Sequence, residues 1–369
     1  MGLELSIPPP PFAHLLRLSD DLGVFEHARG TTTWVENGYC TDDVARALVV
    51  LVREERHPPA RARLASGCLA FVEQAALPDG RFRNRRARNG QWLDEGGSDD
   101  TVGRALLALA VAGTHGTKVQ RRRALSPFEA AAPVYASPSP RSNALAVLAA
   151  VEVLGATPGH EQAGILLERA APGLGRMRCA SSWAWPEHRL AYANALLPEA
   201  LVAAGAALGD APLLEEGLAL LEWLVAVESR DGHFSFAPVG GWAPGEPRPG
   251  FDQQPIEAGA MAEACLRALE ASGDARWARE THLAAAWFLG ANDVGVSLFD
   301  EESGGCRDGL EPDGCNANEG AESTLAMIAA FQAARAAEAA QTAARSALRT
   351  SAAGTVAAPT QRSAAPYVR

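Results

Sequence analysis

One pattern occurs six times along the chain: a short polar segment leads into a helix rich in alanine and leucine. The clearest copies are residues 38–48, with the sequence GYCTDDVARAL, and residues 97–106, with the sequence GSDDTVGRAL. Looser copies begin near Ser139, Arg189, Phe251 and Asn318. A short side-chain oxygen such as that of Thr41 or Asp42 can accept a hydrogen bond from a free first-turn N–H group. The pattern therefore predicts six helices with polar amino-terminal ends, several of which carry acids.

Further helical segments separate these six helices, so the chain is predicted to be a series of helical hairpins. The intervals between copies are uneven, whereas a solenoid with a strict repeat would be regular. A closed ring tolerates loops of different lengths on one face. We therefore predict an all-α (α/α)6 toroid over residues 10–335, with short β-turn loops on the mouth side and a helix at Phe12 that closes the circle.

The two ends of the chain are expected to lie outside this ring. Residues 1–9 form a proline-rich lead, and residues 340–369 are rich in Ala, Ser and Arg without hydrophobic periodicity. Such composition is typical of disordered segments, so the second stretch is predicted to be a disordered tail.

Composition and charge exclude several classes of function. Hydrophobic residues make up 47% of the chain and charged residues 21%, with a formal net charge of -11. Nucleic-acid binding needs a clustered basic face, so it is not expected. No apolar run is long enough to span a membrane, and the first residues lack a basic and an apolar region, so no secretory signal is expected. The six cysteines have no C-x-x-C spacing, and we expect reduced thiols in a cytoplasmic protein.

Cofactor motifs are also missing from the sequence. There is no G-x-G-x-x-G, no P-loop and no G-x-S-x-G, so neither a nucleotide site nor a serine hydrolase is expected. The histidines do not have zinc-ligand spacing. We predict no cofactor and no metal.

Three segments resemble a bacterial family of six-hairpin, glycosidase-like proteins: GYCTDD with ARAL, FDQQPIEA at residues 251–258, and GAESTL at residues 320–325. Members of that family are often attached to sugar-nucleotide glycosyltransferases. The resemblance covers residues 10–335 and implies the toroidal fold, a carbohydrate substrate and a glycosyltransferase as partner. Glycosidases with this toroid carry carboxylates in the mouth, so the resemblance places these acids near a sugar: Asp42, Asp43, Asp252, Glu257 and Glu322.

The chain also departs from the family pattern. The family has Tyr-Asp-Asn-Ala where this chain has Ala193 between Tyr192 and Asn194, and Asn-Arg-Asn-Gln-Gly where it has residues 316–320. If the missing Asp is catalytic, hydrolysis is expected to be weak in this protein while binding is retained.

The catalytic hypothesis rests on the acids that lie at several helix starts. The plain alternative is that each one only caps its helix, and Glu257 in particular fits a capping box opened by Pro255. Together, however, such acids would crowd negative charge at one mouth and raise some carboxyl pKa values. Inverting glycoside hydrolysis needs an acid and a base about 6.5–9.5 Å apart. We expect one from Asp252 or Glu257 and the other from Asp42 or Asp43.

Loop aromatic and polar residues are the expected binding groups for the sugar. Aromatic rings stack on the C–H faces of sugars, although the alternative is that the tryptophans cover the core. The predicted substrate-binding residues are Trp34, His27, Asp99, Asp100, Trp183, Trp185, His188, Tyr192, Asn194, Gln253, Gln254, Glu319 and Glu322.

Two other functions stay open from the sequence. The first is a non-catalytic sugar-binding or glycosyltransferase-associated module that uses the same pit. The second is a terpene-cyclase-like toroid, which would need an apolar pit and is disfavoured by the polar helix starts.

Overall fold

The computed structural model describes residues 6–54, 58–178 and 183–354, with side chains as far as residue 346. Within these ranges there are twelve α-helices and ten two-residue strands. The helices are α1 (Ala13–Arg17), α2 (Thr41–Val52), α3 (Pro59–Ala75), α4 (Asp99–His115), α5 (Lys118–Ala131), α6 (Pro140–Ala156), α7 (Glu161–Ala170), α8 (Leu196–Leu208), α9 (Ala211–Glu228), α10 (Pro255–Ser272), α11 (Arg276–Trp287) and α12 (Ala321–Gly354). Short 3-10 helices span Val35–Asn37, Ala132–Val134 and Ala171–Gly173.

The even-numbered helices form an inner ring. Helix α2 packs on α4, α4 on α6, α6 on α8, α8 on α10 and α10 on α12, and α12 packs back on α2. The helices α3, α5, α7, α9 and α11 each pack outside the inner helix that precedes them, and α1 completes the outer layer against α12 and α3. The predicted (α/α)6 toroid is therefore confirmed, including the closing role of the helix at Phe12.

Small residues allow the helices to pack this closely. A Cβ added to Gly205 of α8 would lie 2.4 Å from the backbone nitrogen of Leu214 in α9, and one added to Gly217 would lie 2.6 Å from that of Val202. Both distances are below any real Cβ contact, so glycine is required where α8 and α9 cross. Leucine, valine and phenylalanine side chains between the layers are fully buried and form one continuous core.

All described strands lie in the connections that lead from an outer helix to the next inner helix, at the mouth of the ring. They pair as antiparallel ribbons, β1 with β2, β3 with β4, β5 with β6, β7 with β8 and β9 with β10. The strands are β1 (Ala28–Arg29), β2 (Thr32–Thr33), β3 (Tyr39–Cys40), β4 (Arg85–Arg86), β5 (Ser229–Arg230), β6 (His233–Phe234), β7 (Phe299–Asp300), β8 (Gly305–Cys306), β9 (Leu310–Glu311) and β10 (Gly314–Cys315). The predicted short β-turn loops on the mouth side are confirmed.

The last helix is longer than the sequence predicted. Helix α12 continues to Gly354, so the expected disordered tail is wrong for residues 340–354. Alanine and arginine have high helix propensity, which lets this segment extend the last helix without hydrophobic periodicity. Residues 1–5 of the lead and 355–369 of the tail lie outside the described part. Among the described helices, none is long and apolar enough to cross a membrane.

Candidate functional site

A cavity of about 500 Å³ opens at the mouth of the toroid, where the amino-terminal ends of the inner helices meet. Helices α2, α4, α10 and α12 contribute its walls together with the loops before α2, α8 and α12. Seven of the residues predicted from the sequence line it: His27, Asp42, Asp43, Asp100, Tyr192, Gln254 and Glu322. The structure thus brings acids from three inner helices around one space.

Asp43 is the most deeply buried acid of this cavity, with 2% of its surface exposed. The Cys40 thiol donates a hydrogen bond to its Oδ2 (3.1 Å), and Arg46, one turn along α2, lies 2.5 Å from its Oδ1. Burial raises the pKa of Asp43 to about 6; the Arg46 charge opposes this shift and the Glu322 charge adds to it. A carboxyl with this pKa can hold and release a proton near neutral pH.

Arg46 joins two walls of the cavity. Its second guanidinium nitrogen lies 2.7 Å from Oε2 of Glu322 on α12, while the first binds Asp43 on α2. This pairing fixes the two acids relative to each other. It also neutralises part of the negative charge that the converging helix starts bring together.

The α4 wall carries a looser set of contacts. Arg104 Nε lies 4.0 Å from Oδ1 of Asp42, and the Thr101 hydroxyl donates to Oδ2 of Asp42 at 3.4 Å. Asp100 accepts hydrogen bonds from the Tyr192 hydroxyl and from Ser139, the latter at 3.4 Å. Arg141 lies over the Tyr192 ring, 4.8 Å from its centre, and the residue is still 43% exposed, so part of it can contact a ligand at the rim.

Glu26, Cys40 and Asp43 each present an atom within 4.8 Å of the others, which is a candidate arrangement for a metal ion. Their other contacts fit such an ion poorly. Burial holds the pKa of the Cys40 thiol well above its usual value, and that thiol donates to Asp43. Glu26 binds Asn37 at 2.7 Å and pairs with Arg85. The three side chains are therefore accounted for by contacts within the protein.

Asp308 comes to the cavity from the loop between β8 and β9. The backbone N–H of Gly320 donates to its Oδ1 at 2.7 Å. A Cβ at position 320 would lie 3.0 Å from the same oxygen, so this glycine lets the start of α12 approach the carboxylate closely. No ion pair to Asp308 is formed by the residues that the structure describes, which leaves its Oδ2 available to a ligand.

Glu257 and Asn194, expected to face the sugar, are instead used inside the wall. Glu257 Oε1 accepts the N–H of Ala193 at 2.6 Å, and its Oε2 accepts the N–H and the side-chain amide of Asn194, both at 3.2 Å. Neither Glu257 nor Asn194 lines the cavity. The physical reason is that the segment before α8 turns at Ala193, which has φ 44°, and directs its N–H groups at Glu257.

Three more predicted residues are placed away from the cavity. Gln253 is fully buried and binds Phe236, Gly250 and Asp293 within its own loop cluster. Glu319 is fully buried, where Ser303 donates to it at 2.6 Å and Arg307 lies 3.2 Å away. Asp252 is exposed and also lies outside the lining. The structure therefore does not bring Asp252 or Glu257 to the cavity as the second acid.

The tryptophans expected to stack on sugar are mostly packed in the core. Trp185 is fully buried and Trp183 is 8% exposed, and both rings contact Trp223 of α9. These two tryptophans therefore cover the core, which was the alternative interpretation of the sequence. Trp34 lies just outside the lining beside His27, with Arg29 4.1 Å above its ring. His188 and Asp99 do not line the cavity either.

Several lining residues were not predicted, notably Glu26, Arg46, Arg104 and Asp308. Arg46 and Arg104 occupy matching places in the two clearest copies of the sequence repeat, four positions after Asp42 and Asp100. That shared position was the available signal. Glu26 and Asp308 lie in irregular loops without such a signal. The first-turn side-chain cap expected from Thr41 or Asp42 is also wrong. The helix begins at Thr41 with Cys40 as its N-cap, and the Thr41 hydroxyl donates to the carbonyl of Arg83.

No family model matches the sequence, and no curated protein matches it. Solved structures do match. A sugar epimerase from a ruminal bacterium is 13% identical over 88% of this chain and 95% of that one, with a TM-score of 0.66. Cellobiose 2-epimerase from Spirochaeta thermophila is 13% identical over 88% and 93%, with a TM-score of 0.63.

Hydrolases share the architecture as well. A GH76 α-mannanase from Bacteroides thetaiotaomicron is 9% identical over 82% of this chain and 88% of that one, with a TM-score of 0.57. A D-mannose isomerase and endoglucanases are further matches. At these identities the similarity establishes the fold. The chain has the six-hairpin glycosidase-like fold that the sequence predicted.

Proposed function

We propose that this protein is a carbohydrate-active enzyme that cleaves the glycosidic bond of a small glycoside by acid and base catalysis with inversion. The observation that carries the proposal is Asp43: a buried carboxyl whose pKa is raised to about 6, at the wall of a cavity of about 500 Å³. A cavity of this size suits one or two sugar rings. The similarity to epimerases, cellulases and a mannanase supports a carbohydrate ligand.

The proposed reaction uses two carboxyls of the cavity. Asp43 donates its proton to the glycosidic oxygen, so the bond to the anomeric carbon breaks and the leaving group departs as an alcohol. Asp308 accepts a proton from the water that attacks the same carbon from the opposite face. We choose Asp308 because the Gly320 N–H binds only its Oδ1, so its Oδ2 is available to the water. Tyr192, Gln254 and His27 are proposed to hold sugar hydroxyls at the rim.

A panel of oligosaccharides and aryl glycosides, followed by chromatography and by NMR of the first anomer formed, tests this function. Asp43→Asn and Asp308→Asn should each lower kcat by about a hundredfold or more, as expected for loss of an acid or a base. The matched control is Asp252→Asn, which changes an exposed acid outside the cavity and should leave kcat unchanged. Binding without turnover of any member would instead identify a sugar-binding module.

Association with a glycosyltransferase is a separate proposal, to be tested by co-purification.

One observation favours epimerisation as a second candidate. His27 lines the cavity with its Nε2 3.7 Å from Oε1 of Glu26, a pair that could remove a proton from a sugar carbon. Two of the similar structures are sugar epimerases. Incubation of free sugars in D2O distinguishes the two reactions. Deuterium incorporated at C2, lost in His27→Gln, supports epimerisation, whereas hydrolysis leaves that position unlabelled.

A further inference from the structure

Beneath the acidic cavity, the axis of the toroid encloses a second space of about 100 Å³, which we name the axial chamber. All six inner helices contribute to its walls. Residues three or four apart lie on the same face of a helix. On α2 that face carries Arg46, Val50 and Arg53 in succession, and on α12 it carries Glu322 and Leu325.

This spacing produces three layers along the axis. The top layer is charged, the middle layer is apolar, and the floor is charged again. The middle layer includes Leu107, Leu145, Leu148, Leu196, Ala260 and Leu325. The floor contains Arg53 and Glu199, which also line a space of about 910 Å³ on the opposite face of the toroid.

The axial chamber adjoins the acidic cavity. Arg46, Arg104, Ile256 and Glu322 line both spaces. Because Arg46 also binds Asp43, the boundary between the two spaces lies beside the proposed proton donor. In the binding mode developed below, the leaving group of a sugar held in the acidic cavity crosses this boundary, which Arg46, Arg104 and Glu322 line.

The middle layer of the chamber favours an apolar guest, because the charged lining residues lie above and below it. Leu107 and Ile256 are partly exposed although they belong to the inner ring, where the open space beside them is the chamber. A sugar ring would leave its hydroxyls without partners against leucine and valine side chains, at a cost of roughly 1–3 kcal/mol for each. Apolar cavities of comparable size stay dry and take up benzene or xenon.

We infer that the axial chamber binds the apolar aglycone of a glycoside, a short alkyl or aryl group, while the sugar ring occupies the acidic cavity. This inference rests on the proposed function for the placement of the sugar, but uptake of an apolar guest does not depend on turnover. It assigns the substrate class as alkyl or aryl glycosides rather than unsubstituted oligosaccharides. It also assigns Leu107, Leu145 and Ala260 to aglycone recognition.

The first experiment probes the chamber alone, with xenon and benzene added to the full chain and followed by 129Xe and proton NMR. Wild-type protein should bind both guests. Ala260→Leu fills the chamber from α10 and should abolish binding, and Leu107→Phe fills it from α4 and provides a second variant if the first does not fold. Ala207→Leu, at an exposed position of α8, is the matched control. Absence of guest uptake by wild-type protein would overturn the inference.

The second experiment uses methyl, butyl and phenyl glycosides of glucose and mannose in both anomers, with affinity measured by calorimetry. Each fully buried methylene strengthens binding about fourfold, so the three extra methylenes of the butyl form should tighten binding by up to about sixtyfold relative to the methyl form of the accepted sugar. Ala260→Leu should remove this advantage and keep methyl glycoside binding. Equal affinities for methyl and butyl forms would overturn the inference. Chain-length-dependent binding without hydrolysis would uphold it and reject the proposed function instead.

Discussion

Asp43 and Glu257 occupy the same place in two inner helices, yet the protein uses them differently. Each is the third residue of its helix, counted from Thr41 in α2 and from Pro255 in α10. Both are at least 96% buried. Burial raises the pKa of Asp43 to about 6 and that of Glu257 to about 7.

The difference lies in what the neighbouring loop supplies. Asp43 receives a thiol and a guanidinium and faces the cavity. Glu257 receives two backbone N–H groups and an amide from the turn before α8, and its carboxyl is closed off from the cavity. A buried acid at the start of a ring helix is therefore a catalytic candidate only where no adjacent backbone takes up its oxygens.

The largest effect on folding stability is expected when the carboxyl of Glu257 is removed, and we compare it with the effect of replacing the carboxyl of Asp43. Glu257→Ala leaves three buried donors without an acceptor, so the free energy of unfolding should fall by about 3 kcal/mol or more. Asp43→Asn keeps the shape of the side chain and leaves Arg46 its partner Glu322, so the fall should be about 1 kcal/mol or less. Chemical denaturation at pH 8 measures both. Equal losses would show that Asp43 is as structural as Glu257 and would weaken its catalytic assignment.

The fold was largely predictable because its main determinant is local. Six polar helix starts followed by small apolar residues indicate hairpins, and uneven loops favour a ring over a solenoid. The extension of α12 to Gly354 was not predicted. Helix propensity without an amphipathic pattern gives no periodic signal in the sequence.

The site was predictable only in part, for a physical reason. Acids in the first turns of α2, α4 and α12 reached the cavity because the ring directs those helix ends inward: Asp42, Asp43, Asp100 and Glu322. The contacts that remove Glu257 and Gln253 from the site come from residues distant in sequence, such as Ala193 and Asp293. Such long-range backbone and loop contacts leave no pattern in a single sequence.

A third buried acid, Glu199 in the first turn of α8, extends the comparison to the pH dependence of folding stability. It is 6% exposed, and burial followed by the nearby Glu263 charge raises its pKa from 4.5 to about 8. Above pH 4.5 the unfolded chain loses this proton while the folded protein keeps it, so folding stability falls as pH rises from about 5 to 8. Glu199→Gln removes this loss and should raise the free energy of unfolding at pH 8 by roughly 2–4 kcal/mol, with little change at pH 4.5.

Denaturant titrations of both proteins at several pH values measure this effect. Glu301→Gln, which neutralises an exposed acid, is the matched control and should change stability by about 0.5 kcal/mol or less at every pH. A parallel pH profile for wild-type protein and Glu199→Gln would contradict the prediction. In that case the fall in stability with rising pH would come from other buried acids whose pKa values burial also raises, namely Asp43, Glu228 and Glu257.

The smallest effect is expected at Ala193, in the turn that separates the two carboxyls of the comparison. Its φ of 44° suits Asp better than Ala. Ala193 lies on the wall of the axial chamber, and its N–H is bound to Glu257. The backbone gain should offset the burial of a protonated carboxyl, so Ala193→Asp should change stability by about 1 kcal/mol or less. We expect a rise in turnover of about tenfold or less, because the preceding residue, Tyr192, lines the acidic cavity. The control is Ala193→Asn, which has the same shape without the acid. A rise in turnover that is seen only in Ala193→Asp assigns the gain to the carboxyl. Unchanged or lower turnover in Ala193→Asp would show that position 193 takes no part in the chemistry.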